Sequence, residues 1–276
     1  MRSHLYNLCQ QITPKIFYLI NTFGLRHLKL YSSLNSMYSE QESYDWLDLF
    51  SGGVPTAPFF LGFQLDGLEK IYLNQSDKNN PHLNGLCLIG LVSYFEAFCK
   101  DHFASIINIE SSLINNLAKN NYDISVDSTK VIELGNTFLY NIGFLIAEKY
   151  DFGTAQKINA LYRSLIMISP FSKDDIEIYN NLLRDRNLLV HHGGTYTSSY
   201  IQQNRQRTSL YKAKRPFFDS LVISNNYVDE KFDFIREVTR KILKASHTSL
   251  VKHLNEQAIQ LPEWKQKAVN SFLDEY

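Results

Sequence analysis

The stretch HLNGLCLIGLVSYFEAFCKDHFASII, residues 82–107, decides the class of fold. Within it Leu86, Ile89, Val92, Phe95, Cys99 and Phe103 recur three or four residues apart, the spacing that puts side chains on one face of a helix. Glu96 borders that stripe. The most apolar run, LCLIGLVSYF, meets Glu96 at once, well short of the roughly 20 apolar residues that a spanning helix needs. The segment therefore reads as a buried core helix, and no membrane partner is expected.

The pattern continues on the C-terminal side. ESSLINNLAK (110–119) predicts a short helix, KVIELGNTFLYNIGFLIAEKY (130–150) a longer one, and TAQKINALYRSLIMIS (154–169) another that Pro170 stops. DEKFDFIREVTRKILKASHTSLVKHL (229–254) is amphipathic, with Phe232, Ile235, Val238, Ile242 and Leu250 inward. Between the last two, TYTSSYIQQNRQRTSLYKAKRPFFDSLVIS (195–224) is polar, β-branched and aromatic, and suits a loop or small hairpin. Toward the N-terminus, SGGVPTAPF (51–59) and NQSDKNNP (74–81) are breaks by composition. The expected architecture is an all-α helical bundle over residues 76–276, with a mixed extension over residues 1–75.

Composition bounds the function. Hydrophobic residues make up 44% of the 276-residue chain, enough for a substantial core. Lys plus Arg number 28 and so do Asp plus Glu, so nucleic acid could be held only by a local patch. Cys9, Cys87 and Cys99 form no disulfide framework: Cys87 and Cys99 on one helix lie roughly 18 Å apart at 1.5 Å per residue. A reducing, cytoplasmic setting fits this cysteine usage. Met1 to Ser39 lacks acidic residues but carries Arg2, Lys15, Arg26 and Lys29. That suits either a basic surface segment or a transit peptide, and Met37 is an alternative start.

The chemistry concentrates in RDRNLLVHHGG, residues 184–194. Ser172 and Asp175 suggest a capping box at the start of this helix, and Gly193 and Gly194 supply its stop. Tyr179, Leu182 or Leu183, Arg186 and Val190 fall on one face, so Arg186 stands where leucine would be expected. A buried cation needs a carboxylate, and Glu96 is the candidate. Arg184 and Asp185 suit a solvated helix face. His191 is about 140° around the helix from Arg186, whereas Asn187, four residues before His191, stacks beneath it. A histidine near a fixed cation suits proton transfer beside developing negative charge, as in phosphodiester chemistry. His102, His247 and His253 are expected at the surface, because no second ligand stands at metal spacing. Neither metal nor other cofactor is expected.

RNLLVH, Arg186 to His191, resembles the Arg-x4-6-His motif of the HEPN superfamily, with Asn187 as the polar residue often found after the arginine. The resemblance covers residues 82–255 and includes an acidic residue, Glu96, on a long first helix. It implies a metal-independent endoribonuclease with a composite site at a homodimer interface, leaving 2′,3′-cyclic phosphate. His191 would move the proton, Arg186 would stabilise the phosphorane, and Asn187 would orient groups, with Glu96 in support. His192 permits a second register, Arg186-x5-His192. Many members act as toxins or in anti-phage defence, which implies an antitoxin or regulatory partner. In the form paired with a nucleotidyltransferase antitoxin, a tyrosine lies two residues after the histidine. Here that position is Gly193, and the nearest tyrosine is Tyr196.

Arg205, Arg207, Lys212, Lys214 and Arg215, interleaved with Tyr211 and Phe217, form the candidate RNA-binding patch, or else an exposed basic loop. The rival functional reading is a catalytically silent module that binds nucleic acid, nucleotide or a protein. A third reading is a helical interaction domain in which Arg186 and Glu96 form only a core ion pair.

Overall fold

The computed structural model describes Leu68 and residues 81–205 and 209–273. The rest of the expected extension, Cys9, Met37 and Arg207 lie outside the described residues. The described chain is an all-α bundle. Its helices are α1 (Pro81–Ile109), α2 (Ile114–Lys119), α3 (Ser128–Leu134), α4 (Phe138–Ala147), α5 (Ala155–Ile166), α6 (Lys173–His192), α7 (Ser198–Arg205), α8 (Asn225–Glu256) and α9 (Glu263–Asn270).

Helix α1 is the axis of the bundle, packed against α4, α6 and α8. It is buried more broadly than a single stripe. Leu88, Leu91, Val92, Phe95, Cys99 and Phe103 are fully enclosed, while Leu86, expected inward, is 64% exposed. Contact with helices on several sides turns the buried face away from Leu86. Phe95 meets Phe171 and Tyr179 edge-on, with centroids 6.0 and 5.5 Å apart, tying α1 to the start of α6. Such pairs add about 0.5–1.5 kcal/mol each beyond their buried area. Asn84 at the head of α1 donates to the Ile223 carbonyl at 2.9 Å and to Asn225 Oδ1 at 2.8 Å, securing the entry to α8.

Contrary to the sequence expectation, α1 is by length and composition apolar enough to cross a bilayer. Its most apolar 18-residue window has a mean hydropathy of 1.3, and half of that window is buried inside the bundle. Apolar residues resume beyond Glu96 and the helix runs on to Ile109, so the apolar stretch does not stop at that charge.

Three other expectations change. The helix expected over 130–150 is two, α3 and α4, because Gly135 takes φ 50° and its N–H closes on the Val131 carbonyl. The described residues of 195–224 hold α7, a 3-10 turn at Ser209–Ala213 and an isolated antiparallel bridge between Thr195 and Ser220 in place of a hairpin. Stacked and edge-on tyrosines, Tyr196, Tyr200 and Tyr211, fill that segment instead. His102 is fully buried rather than at the surface, packed among Phe98, Tyr162 and Phe272. His247 and His253 are partly buried. An imidazole that stays neutral can be packed as an aromatic ring, which spacing alone does not reveal.

Candidate functional site

The site is carried by α6, whose ends are both specified by sequence. Ser172 and Asp175 exchange backbone and side-chain hydrogen bonds in a capping box, and Asp174 and Asp175 place negative charge in the first turn. Asp175 also accepts from Lys241 of α8 at 3.1 and 3.2 Å. At the far end Gly193 takes the left-handed conformation, φ 56° and ψ 26°, which favours glycine and stops the helix.

Between these ends Arg186 leans onto α1. Its Nη2 lies 2.5 Å from Glu96 Oε1, with the two side chains 21% and 26% exposed. The pair is thus largely withdrawn from water. Burial holds the Glu96 carboxyl above its usual range, against the lowering effect of Arg186, and nearby Asp151 adds to the rise. Arg186 Nε and the Tyr179 hydroxyl are buried without hydrogen-bond partners among the described residues.

Removing Glu96 would leave Arg186 without its counterion. Breaking a fully buried pair costs about 3–5 kcal/mol. With a fifth to a quarter of each side chain exposed, Glu96→Ala is expected to cost about 2–3 kcal/mol. A double-mutant cycle with Arg186→Ala in urea unfolding measures the pair directly. A coupling energy below about 0.5 kcal/mol would reduce it to an exposed contact.

The other motif residues face solvent. Asn187, His191 and His192 are exposed, and the first two have no side-chain hydrogen bond to another described residue. Val190, placed inward by the sequence pattern, is 48% exposed. Asn187, Val190 and His191 occupy positions i, i+3 and i+4, so they form one open face beside the anchored arginine. Within one chain the structure joins Arg186 to Glu96 and does not bring His191 against Arg186.

The described members of the basic patch differ in exposure. Arg205 ends α7 and Lys212 is exposed, while Lys214 is half-buried. Arg215 is paired with Asp219 at 3.3 Å and lies over the Phe218 ring at 5.7 Å. The exposed aromatic pair Phe217 and Phe218, 68% and 79% exposed, stands beside it.

Asp185 departs most from expectation. It is 8% exposed rather than solvated. Its Oδ1 accepts from the Tyr200 hydroxyl and its Oδ2 from the Tyr227 hydroxyl. Burial raises the Asp185 carboxyl despite both bonds, and burial together with the adjacent carboxylate raises both phenols. One turn later Leu188 joins Tyr196, Tyr200 and Ile201 in a second small apolar cluster. The buried side of α6 therefore swings from the main core to this cluster, which moves Val190 outward. The hint in the sequence was the tyrosine-rich segment 196–211, whose hydroxyls need acceptors when buried.

Among the described residues, no three His, Cys, Asp or Glu side chains converge as a metal site. Compared with known proteins, the chain matches no family model, no curated protein and no solved structure.

Proposed function

We propose that this chain is a metal-independent endoribonuclease of the HEPN type, active as a homodimer and acting as a toxin or anti-phage effector. The observation that carries the reading is the open Asn187–Val190–His191 face beside Arg186, at the end of a helix whose cation is held by Glu96. Such a face is half of a site. Two copies meeting through it would set two histidines and two arginines around one phosphodiester, and Val190 would supply apolar contact between them. One His191 takes the proton from the 2′-hydroxyl, and the 2′-oxygen attacks phosphorus. The P–O5′ bond breaks, and the leaving oxygen is protonated by the other His191. Arg186 neutralises the phosphorane, and Asn187 orients the ribose or phosphate. RNA would be steered by Arg205, Arg207, Lys212, Lys214 and Arg215. The toxin or defence role rests on the motif's resemblance alone.

A catalytically silent binding module is favoured by one observation, the closure of Arg186 onto Glu96 at 2.5 Å. An arginine committed to a carboxylate has fewer donors for phosphate. Control by nucleotide transfer onto a tyrosine has little support here, since Tyr196 is only 4% exposed.

The test is RNA cleavage in EDTA by the wild type and by His191→Ala, with analysis of product ends. His191→Ala is expected to lower cleavage by about 100- to 10,000-fold without loss of fold, the usual worth of a general acid–base group. Wild-type cleavage leaving cyclic phosphate supports the nuclease. A folded dimer with no cleavage on several RNAs turns the reading to the silent module.

A further inference from the structure

Behind the motif face, α6 borders a second feature, a cavity of about 260 Å³. Its wall includes Asp185 from α6, Tyr227 from α8, and Tyr196, Tyr211 and Lys214 from the connecting segment, with Val222 on the apolar side. Most ligand pockets are larger, so this one suits a single ring system rather than an extended molecule.

Asp185 lines this space, and its carboxylate is in an unusual state. Two of its roughly four acceptor positions are used by the Tyr200 and Tyr227 hydroxyls, which orient it. Among the described residues no cation forms an ion pair with it, and Lys231 and Arg184 act on it only at longer range. A buried carboxylate without a bonded cation is costly. Each oxygen keeps one acceptor position beyond its tyrosine bond, which suits a ligand with two parallel N–H donors.

We infer that this cavity is a binding site for a guanine base, with Asp185 accepting from guanine N1–H and N2–H and the tyrosine rings lining the plane of the base. Of the four RNA bases only guanine presents two adjacent donors on its Watson–Crick edge. Adenine and cytosine place an acceptor beside their amino group, which would face the carboxylate repulsively, and uracil offers one donor between two carbonyls. Unstacked bases are commonly held by aromatic side chains and read on that edge. Lys214, on the cavity wall, supplies a cation for the nucleotide's phosphate. The base could belong to a free guanine nucleotide or to an RNA strand, and the recognising chemistry is the same. The site stands apart from the nuclease reading, because its occupancy is measured without cleavage.

Calorimetric titration of the full chain with 5′-GMP, IMP, AMP, CMP and UMP tests it. GMP is expected to bind, IMP about tenfold more weakly for want of the N2 amine, and the other three without measurable heat. Asp185→Asn puts an amide donor against the base and should weaken GMP at least about 30-fold. If that variant fails to fold, Tyr211→Ala and Lys214→Ala alter the wall without touching the buried carboxylate. Each should weaken GMP several-fold, Lys214→Ala more for GMP than for guanosine. Absence of GMP binding, equal binding of GMP and AMP, or a folded Asp185→Asn that binds GMP like wild type would each overturn the assignment. A single-stranded oligonucleotide with one guanine that binds more tightly than GMP marks a strand base. Equal affinity marks a free nucleotide.

Discussion

Gly143→Ala is expected to destabilise the bundle severely, although alanine is the better helix former. In an open helix the exchange would gain about 1 kcal/mol. Here α4 lies so close to α1 that a Cβ on residue 143 would fall 2.0 Å from the Ala104 carbonyl oxygen and 2.8 Å from Asn108 Oδ1. The first neighbour is backbone and cannot swing aside. The Gly143 N–H also donates to Asn108 Oδ1 at 2.7 Å, a bond that separation of the helices would break. Overpacking of this kind costs about 3 kcal/mol or more, enough to overwhelm the propensity gain. Equilibrium urea unfolding of the variant decides the balance. An unchanged or raised midpoint would mean that the two helices are not in backbone contact at this point.

Acid is expected to begin weakening the fold well above the pH at which its surface carboxylates are protonated, because of His102. Complete burial pushes this imidazole down from 6.5 to about 3, and neither ring nitrogen has a hydrogen-bond partner among the described residues. In the unfolded chain it takes up a proton near 6.5, whereas in the fold it resists protonation down to about 3. The unfolded state therefore binds more protons throughout that window. Stability is full above the upper value and falls with decreasing pH, by up to about 1.4 kcal/mol per unit. The complete descent approaches about 5 kcal/mol, a large share of a typical domain's stability.

Carboxylates lowered by bound partners, such as Asp175 and Asp219, add their own losses only nearer pH 4 and below. His247, lowered more mildly by partial burial, acts in the same window as His102. The discriminating measurement is thus a comparison. His102→Leu should flatten the dependence of unfolding free energy on pH between about 6 and 4.5, and should raise stability at the acid end. If wild type and variant fall in parallel, the imidazole is solvated and the packing around it is wrong.

These two residues mark where reading along the chain ends. The helices themselves were legible. Apolar spacing in 82–107 and 229–254, the Ser172–Asp175 cap and the Gly193 stop are local features, and α1, α8 and both ends of α6 follow from them. The pairing of Arg186 with Glu96 was also within reach, since a cation on an apolar stripe demands a carboxylate and one other stripe carried it at its edge. The gross class, an all-α bundle, is the sum of such local statements.

Tertiary structure decided which polar groups go inside and what encloses them. Arg186 and Asp185 are neighbours in sequence, yet one is tied to α1 while the other is taken by tyrosines from α7 and α8. No period in the sequence distinguishes these fates. A helix presents adjacent residues about 100° apart, and only the arrival of distant segments determines which side is wet. The same holds for His102, buried where the rings of Phe98, Tyr162 and Phe272 close around it, and for Gly143, whose missing side chain matters only where another backbone passes. Local physics specified the helices of this protein. Contacts between residues far apart in the chain specified its buried charges, the close approach of α1 and α4 at Gly143 and the cavity beside its motif.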